Sequence, residues 1–155
     1  MKVNIITKRT FSVIGKLGQG LSSEGVNWIQ PIWEEANNNF NEIGNLAKID
    51  NKGNIVGIWG IMSDIDENFE PWGKQGKYLA GCEVEDNAVA PKGWIKWRIP
   101  SYKYAVIKCT QNTYANIFNY MIEEYLPKQV YSIVGAIHEL YDPKDSNGEL
   151  YLYFP

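Results

Sequence analysis

The sequence predicts an α+β fold made of two strand–helix–strand–strand halves, and three observations carry that expectation. Two stretches place apolar residues at helical spacing, while the remaining apolar runs are short and strand-like. Each helical stretch is bracketed by such runs. Short matches also recur between the halves: residues 55–61, IVGIWGI, resemble 133–139, IVGAIHE, and 11–16, FSVIGK, resemble 104–109, YAVIKC.

Taken in order, strands are expected at 2–8 and 10–17. The run WIQPIWEEANNNFNEIG at 28–44 then carries Ile29, Ile32, Trp33, Ala36, Phe40 and Ile43 at a 3.6-residue period. Pro31 is expected in the first turn of this helix, where its missing N–H costs little. Strands at 54–62 and 78–86 complete the first half. In the second half, strands at 94–99 and 102–109 precede TYANIFNYMIEEYLP, whose Tyr114, Phe118, Met121, Ile122 and Tyr125 form one stripe that Pro127 ends. Strands at 132–141 and 149–154 close the chain, joined through the turn-forming Asp145-Ser146-Asn147-Gly148.

A length of 155 residues suits a single domain, 1–155, with halves at about 1–88 and 93–155. Roughly 70% of the unfolded surface is buried at this size. A net charge of −3 and a pI near 5.2 argue against direct nucleic-acid binding, which needs a basic patch. No run of eighteen apolar residues suggests a membrane span, and MKVNIITKRT lacks the features of a signal peptide. Cys82, Cys109 and the single His138 are too few for a disulfide framework or a metal site. A reducing cytoplasm is the simple expectation. Gly18-Gln19-Gly20 lacks the spacing of a phosphate or dinucleotide loop, so no cofactor is expected.

The penultimate strand holds the most informative residue. Strand side chains alternate between faces, so Val134, Ala136, His138 and Leu140 share one face. Ile133, Gly135, Ile137, Glu139 and Tyr141 share the other, apolar but for the acid. In the internal alignment Trp59 falls on Ile137 and Ile61 on Glu139, which puts Trp59 and Glu139 on equivalent faces. If a helix covers the more regularly apolar face of each half, the opposite faces meet across a cleft, with a lone acid among aromatic rings.

Four stretches resemble a known family in its own order: IWEEANNNF, KYLAGCEVED, WRIPSYKYAVIKC, and EEYLPKQVYSIVGAIHELYDP followed by ELYLYFP. Over essentially the whole chain the sequence is similar to the GyrI-like small-molecule-binding domain. That domain is the effector-binding module of AraC- and MerR-type multidrug-responsive regulators and also occurs free-standing. The resemblance implies pseudo-two-fold halves forming an antiparallel sheet, with helices on one face and a ligand cleft between the halves. It implies a pocket glutamate at Glu139, aromatic walls at Trp33 and Trp59, and recurring aromatic positions at Tyr104 and Tyr141. His138 stands where the family usually has Phe, a departure that touches the opposite face. Strand-like sequence begins almost at Met1, so no helix-turn-helix is expected ahead of the domain.

Each residue also has a plain structural reading. Glu139 can reach solvent at a strand end, Trp33 can pack in the core, and Tyr104 and Tyr141 can be core aromatics with satisfied hydroxyls. Trp59 has the stronger pocket pattern, because Gly57 and Gly60 flank it and leave room for close approach. A carboxylate among rings favours a flat lipophilic cation, which relieves its desolvation and stacks on the walls. The expected function is therefore a stand-alone receptor for amphipathic, often cationic aromatic molecules. The resemblance leaves two alternatives: a hydrolase of electrophilic small molecules using Glu139 as general base, and a gyrase-inhibitor-like protein-interaction module. A protein partner or a homodimer stays open.

Overall fold

The computed structural model describes residues 2–142 and 148–155. The first half comprises β1 (Val3–Lys8), β2 (Phe11–Leu21), α1 (Gly25–Asn38), β3 (Ile58–Ser63) and β4 (Gln75–Val84). The second comprises β5 (Ile95–Ile99), β6 (Tyr102–Thr110), α2 (Tyr114–Tyr120), β7 (His138–Tyr141) and β8 (Glu149–Phe154). Helix α2 runs on through a π-type turn, Met121–Tyr125, into a last α turn, Leu126–Lys128. No helix among the described residues is long and apolar enough to cross a membrane.

The eight strands form one antiparallel sheet in the order β1-β6-β8-β7-β3-β4-β2-β5. Exchanging β1–β4 with β5–β8 gives the same order read from the other end. Each half thus opens with an extra strand that the strand–helix–strand–strand pattern leaves out. That strand is lent to the opposite half: β1 pairs with β6, and β5 with β2. The halves join at the centre, where β3 pairs with β7.

Element positions differ from expectation where the backbone finds other partners. Helix α1 starts at Gly25, so Pro31 lies inside the helix rather than in its first turn, and the Asn27 carbonyl loses its usual i+4 donor. Strand β2 runs four residues further than expected, through Gly18-Gln19-Gly20. The missing side chains there make room for α1, since a Cβ on Gly18 would meet Ile32 at 2.2 Å and one on Gly20 would meet Trp28 at 2.5 Å. Strand β7 begins only at His138. Upstream of it, the Ala136 N–H donates to the Phe69 carbonyl and the Val134 N–H to that of Pro155, so 132–137 leave the ladder. The expected turn at Asp145–Asn147 lies outside the described residues.

Both helices cover one face of the sheet. Ile32 and Ala36 of α1 pack on Ile14, Tyr78, Ala80 and Cys82 of β2 and β4. Met121 and Leu126, beyond α2, pack on Ala105, Ile107, Leu150 and Leu152 of β6 and β8. With the helices over the two flanks, the central strands β3 and β7 lie between them. The other face carries a separate aromatic core that includes Phe11, Trp59, Trp97, Tyr104 and Tyr153.

Candidate functional site

The gap between the helices is a cavity of about 760 Å³. Its floor includes Met62 of β3 with Glu139 and Tyr141 of β7, and its walls include Trp33 of α1 and Tyr114 of α2. Trp72, from the segment before β4, lines it as well, its indole N–H donating to the Lys77 carbonyl at 3.0 Å. Glu24 at the start of α1 also lines the cavity, so Glu139 is not its lone acid; Glu24 is exposed, whereas Glu139 is only 7% exposed.

Three tyrosine hydroxyls converge on the Glu139 carboxylate. Tyr78 donates to Oε1 at 2.5 Å, Tyr141 donates to the same oxygen at 3.1 Å, and Tyr114 donates to Oε2. The Trp33 indole N–H in turn donates to the Tyr78 hydroxyl at 2.9 Å. The backbone makes this possible at Gly60, which pairs with Glu139 across β3 and β7. A Cβ on Gly60 would lie 1.9 Å from the Tyr78 hydroxyl and 2.8 Å from Glu139 Oε1. The missing side chain is the space the hydrogen bond occupies.

Burial raises the pKa of Glu139, and the three hydroxyl donors oppose that rise by stabilising the charged form. For the tyrosines burial and the carboxylate act in the same direction. Burial first, and then the neighbouring carboxylate, push the phenols of Tyr78, Tyr114 and Tyr141 well above their ordinary range. They therefore remain proton donors at neutral pH. The site is a carboxylate fixed in direction by donors and walled by rings, with the Trp33 and Tyr141 rings meeting nearly edge-on at 5.2 Å.

Of the residues singled out in the sequence, Glu139, Trp33 and Tyr141 come together here. Trp59 and Tyr104 do not. Register decides this: Trp59 sits opposite Leu140, while Gly60 sits opposite Glu139. The internal alignment is out of step by an odd number of residues, and an odd slip exchanges the faces of a strand. Trp59 is thus on the far side of the sheet, its indole N–H donating to Glu83 at 3.0 Å and its ring against Phe11 and Tyr153. Tyr104 packs beside Tyr153 in the same core, 1% exposed. The expected placement of the helices is corrected with it. They cover the Glu139 face, and the cleft lies between helices on a continuous sheet, since β3–β7 pairing leaves no two half-sheets to face each other.

Sequence reasoning missed Tyr78, which reads as an ordinary strand residue, and took Tyr114 only as part of a helical stripe. One signal was available for Tyr78. It alternates with Ala80 and Cys82 on a single face, so a large polar-tipped ring stands beside small residues beneath a helix.

The sequence profile of the Cass2 family, described as integron-associated effector binding protein, matches residues 4–155. The chain belongs to this GyrI-like family. No curated protein matches it significantly in sequence. Among solved structures it is similar to SAV2435 bound to tetraphenylphosphonium, at 16% identity and TM-score 0.69, covering 100% of this chain and 93% of that one. The integron cassette protein VCH_CASS2 from the mobile metagenome of Vibrio cholerae is similar at 16% identity and TM-score 0.64, over 98% and 94% of the two chains. The C-terminal domain of EcmrR aligns at 13% identity and TM-score 0.61, over 99% and 96%. At such identities these likenesses establish a shared fold. Membership of the Cass2 family makes the chain an effector-binding protein of small molecules.

Proposed function

We propose that the chain is a receptor for lipophilic aromatic cations, bound between α1 and α2 with the charge over Glu139 and the rings against Trp33, Tyr114 and Tyr141. One observation carries the reading: the cavity floor holds a buried carboxylate, and no Lys, Arg or His is among the described residues lining the cavity. A desolvated anion among rings is costly alone and is relieved by a delocalised positive charge. Contact of that charge with the ring faces adds about 0.5–2 kcal/mol, depending on desolvation. The tetraphenylphosphonium bound to SAV2435 is a cation of this class.

A hydrolase would use the same carboxylate as its base. Hydroxyl donors on both carboxylate oxygens favour the receptor, because each donor lowers the affinity of the group for a proton.

Tryptophan fluorescence titrations with tetraphenylphosphonium and with neutral triphenylphosphine oxide test the reading. Glu139→Gln should weaken the cation by roughly tenfold or more and leave the neutral compound unchanged. Absence of cation binding by the unaltered protein, or an equal loss for both compounds, would overturn it. Release of a hydrolysed product from an electrophilic substrate, abolished in Glu139→Gln at unchanged affinity, would assign the enzyme instead.

A further inference from the structure

Trp33, Gln111 and Tyr141 each line two hollows. On one side lies the cavity with Glu139 on its floor; on the other is a smaller hollow of about 330 Å³, to which Asn37 and Ile58 also contribute. We propose that this smaller hollow is a second chamber of the ligand site, opened when the Tyr141 ring swings aside. It takes an uncharged planar ring or apolar arm carried by the same molecule whose cationic head lies over Glu139. The proposal rests on the receptor reading above and names the class of ligand, an elongated two-part amphiphile.

Composition assigns the chamber its occupant. Its lining holds two rings, one aliphatic side chain and two amides, with no carboxylate, ammonium, guanidinium or imidazole. A charged group there would gain no counter-charge, whereas a neutral ring would cover the apolar surface of Trp33, Ile58 and Tyr141, so a neutral group is favoured. The rings of Trp33 and Tyr141 offer flat apolar surface, and the Asn37 and Gln111 amides can satisfy an ether or carbonyl on the arm. Asn37 follows Trp33 by one helical turn, so both project from the same side of α1.

The wall between the chambers is slight. Trp33 and Tyr141 meet edge to face, at 5.2 Å between centroids and 74° between planes. Of the two hydroxyls on Glu139 Oε1, that of Tyr141 is at 3.1 Å, against 2.5 Å for Tyr78. The Tyr141 bond is the weaker by geometry. Releasing it, together with the hydrogen bond the same hydroxyl takes from Gln111, leaves Tyr78 and Tyr114 still donating to the carboxylate, so the partition can open without dismantling the anion's support.

Two probes separate the chambers: benzyltrimethylammonium, and a homologue whose ring bears a para-linked hexyl chain ending in a neutral phenyl ring. Calorimetric titration of the unaltered protein should show the longer probe binding roughly ten- to a hundredfold more tightly, the effect of burying one more ring. Asn37 is exposed on α1, so its replacement should leave the core packing intact. Asn37→Trp fills the chamber and should erase the preference without changing affinity for the compact probe, whereas Asn37→Ala should keep it. Equal affinities in the unaltered protein overturn the second chamber and leave the receptor standing, as does a preference that survives in folded Asn37→Trp or vanishes in Asn37→Ala. Failure of both probes to bind overturns both.

Discussion

Tyr78 and Glu139, 61 residues apart in the chain, meet through a 2.5 Å hydrogen bond above the bare backbone of Gly60. This contact ties β4 to β7 across the central strand β3, and it sets the direction of the carboxylate at the cavity floor. The arrangement needs a residue with no side chain at position 60, a buried acid and a phenol long enough to reach over the gap.

Gly60→Ala should therefore act on binding and stability together. The added methyl must displace the Tyr78 hydroxyl, which a Cβ would approach to 1.9 Å. Overpacking of this kind costs about 1–3 kcal/mol. A lowered melting temperature with weakened cation binding is expected. Unchanged melting would show that the pocket yields more readily than its geometry implies.

Glu139 should cost stability at neutral pH. Its folded pKa is raised by burial above the ordinary 4.5, so the folded state holds its proton more tightly than the unfolded chain does. Its contribution is fully present below 4.5 and declines as pH rises through the folded value. Glu139→Gln should be the more stable protein at pH 8, with the gap closing towards pH 4.5. Denaturant titrations across that range provide the check.

His138 works in the opposite direction. It is fully buried, its Nδ1 accepts the Met62 N–H at 3.3 Å, and burial drives its pKa from 6.5 down to about 3. The unfolded chain takes up this proton near pH 6.5, so stability is lost as pH falls from there towards 3. The loss is on the order of a few kcal/mol. His138→Phe should flatten this acid slope. At pH 8 the Met62 N–H loses its acceptor while the buried, unpartnered Nε2 is removed, so the two effects oppose and the net change should be within about 1 kcal/mol.

Trp59 and Trp33 should separate folding from binding. Trp59→Phe removes the donor to Glu83, a carboxylate only 3% exposed, and should cost roughly 1.5–3 kcal/mol of stability while leaving cation affinity unchanged. Trp33→Phe removes the donor to Tyr78 at the cavity wall and should weaken binding with a smaller effect on melting. Chemical denaturation and dye titration on the two variants together make the comparison.

Much of the fold was legible because its signals are local. All eight strands and both helices announce themselves through periodicity, but their bounds shift: β2 lengthens at Gly18 and Gly20 beneath α1, and α1 ends at Asn38, with Phe40 and Ile43 passing into short 3-10 turns instead of continuing the helix. Glu139 stood out as the one charge in an apolar run, and Trp33 as part of a helical stripe. The relation of Trp59 to Glu139 was not legible. It depends on whether an alignment offset is odd or even, and a match as short as IVGIWGI with IVGAIHE does not fix that offset. The roles of Tyr78 and Tyr114 were hidden for a related reason: convergence on one carboxylate is a property of the assembled sheet, with its donors drawn from β4, α2 and β7.

The exchange of β1 and β5 between the halves has a consequence for any cut in the chain. A break in the link joining β4 to β5 would release two fragments, each carrying the outer strand the other requires and each exposing the ladder where that strand belongs. Neither piece would hold its shape alone, yet mixed together they would template one another. Such a split pair could report the presence of its guest by reassembling.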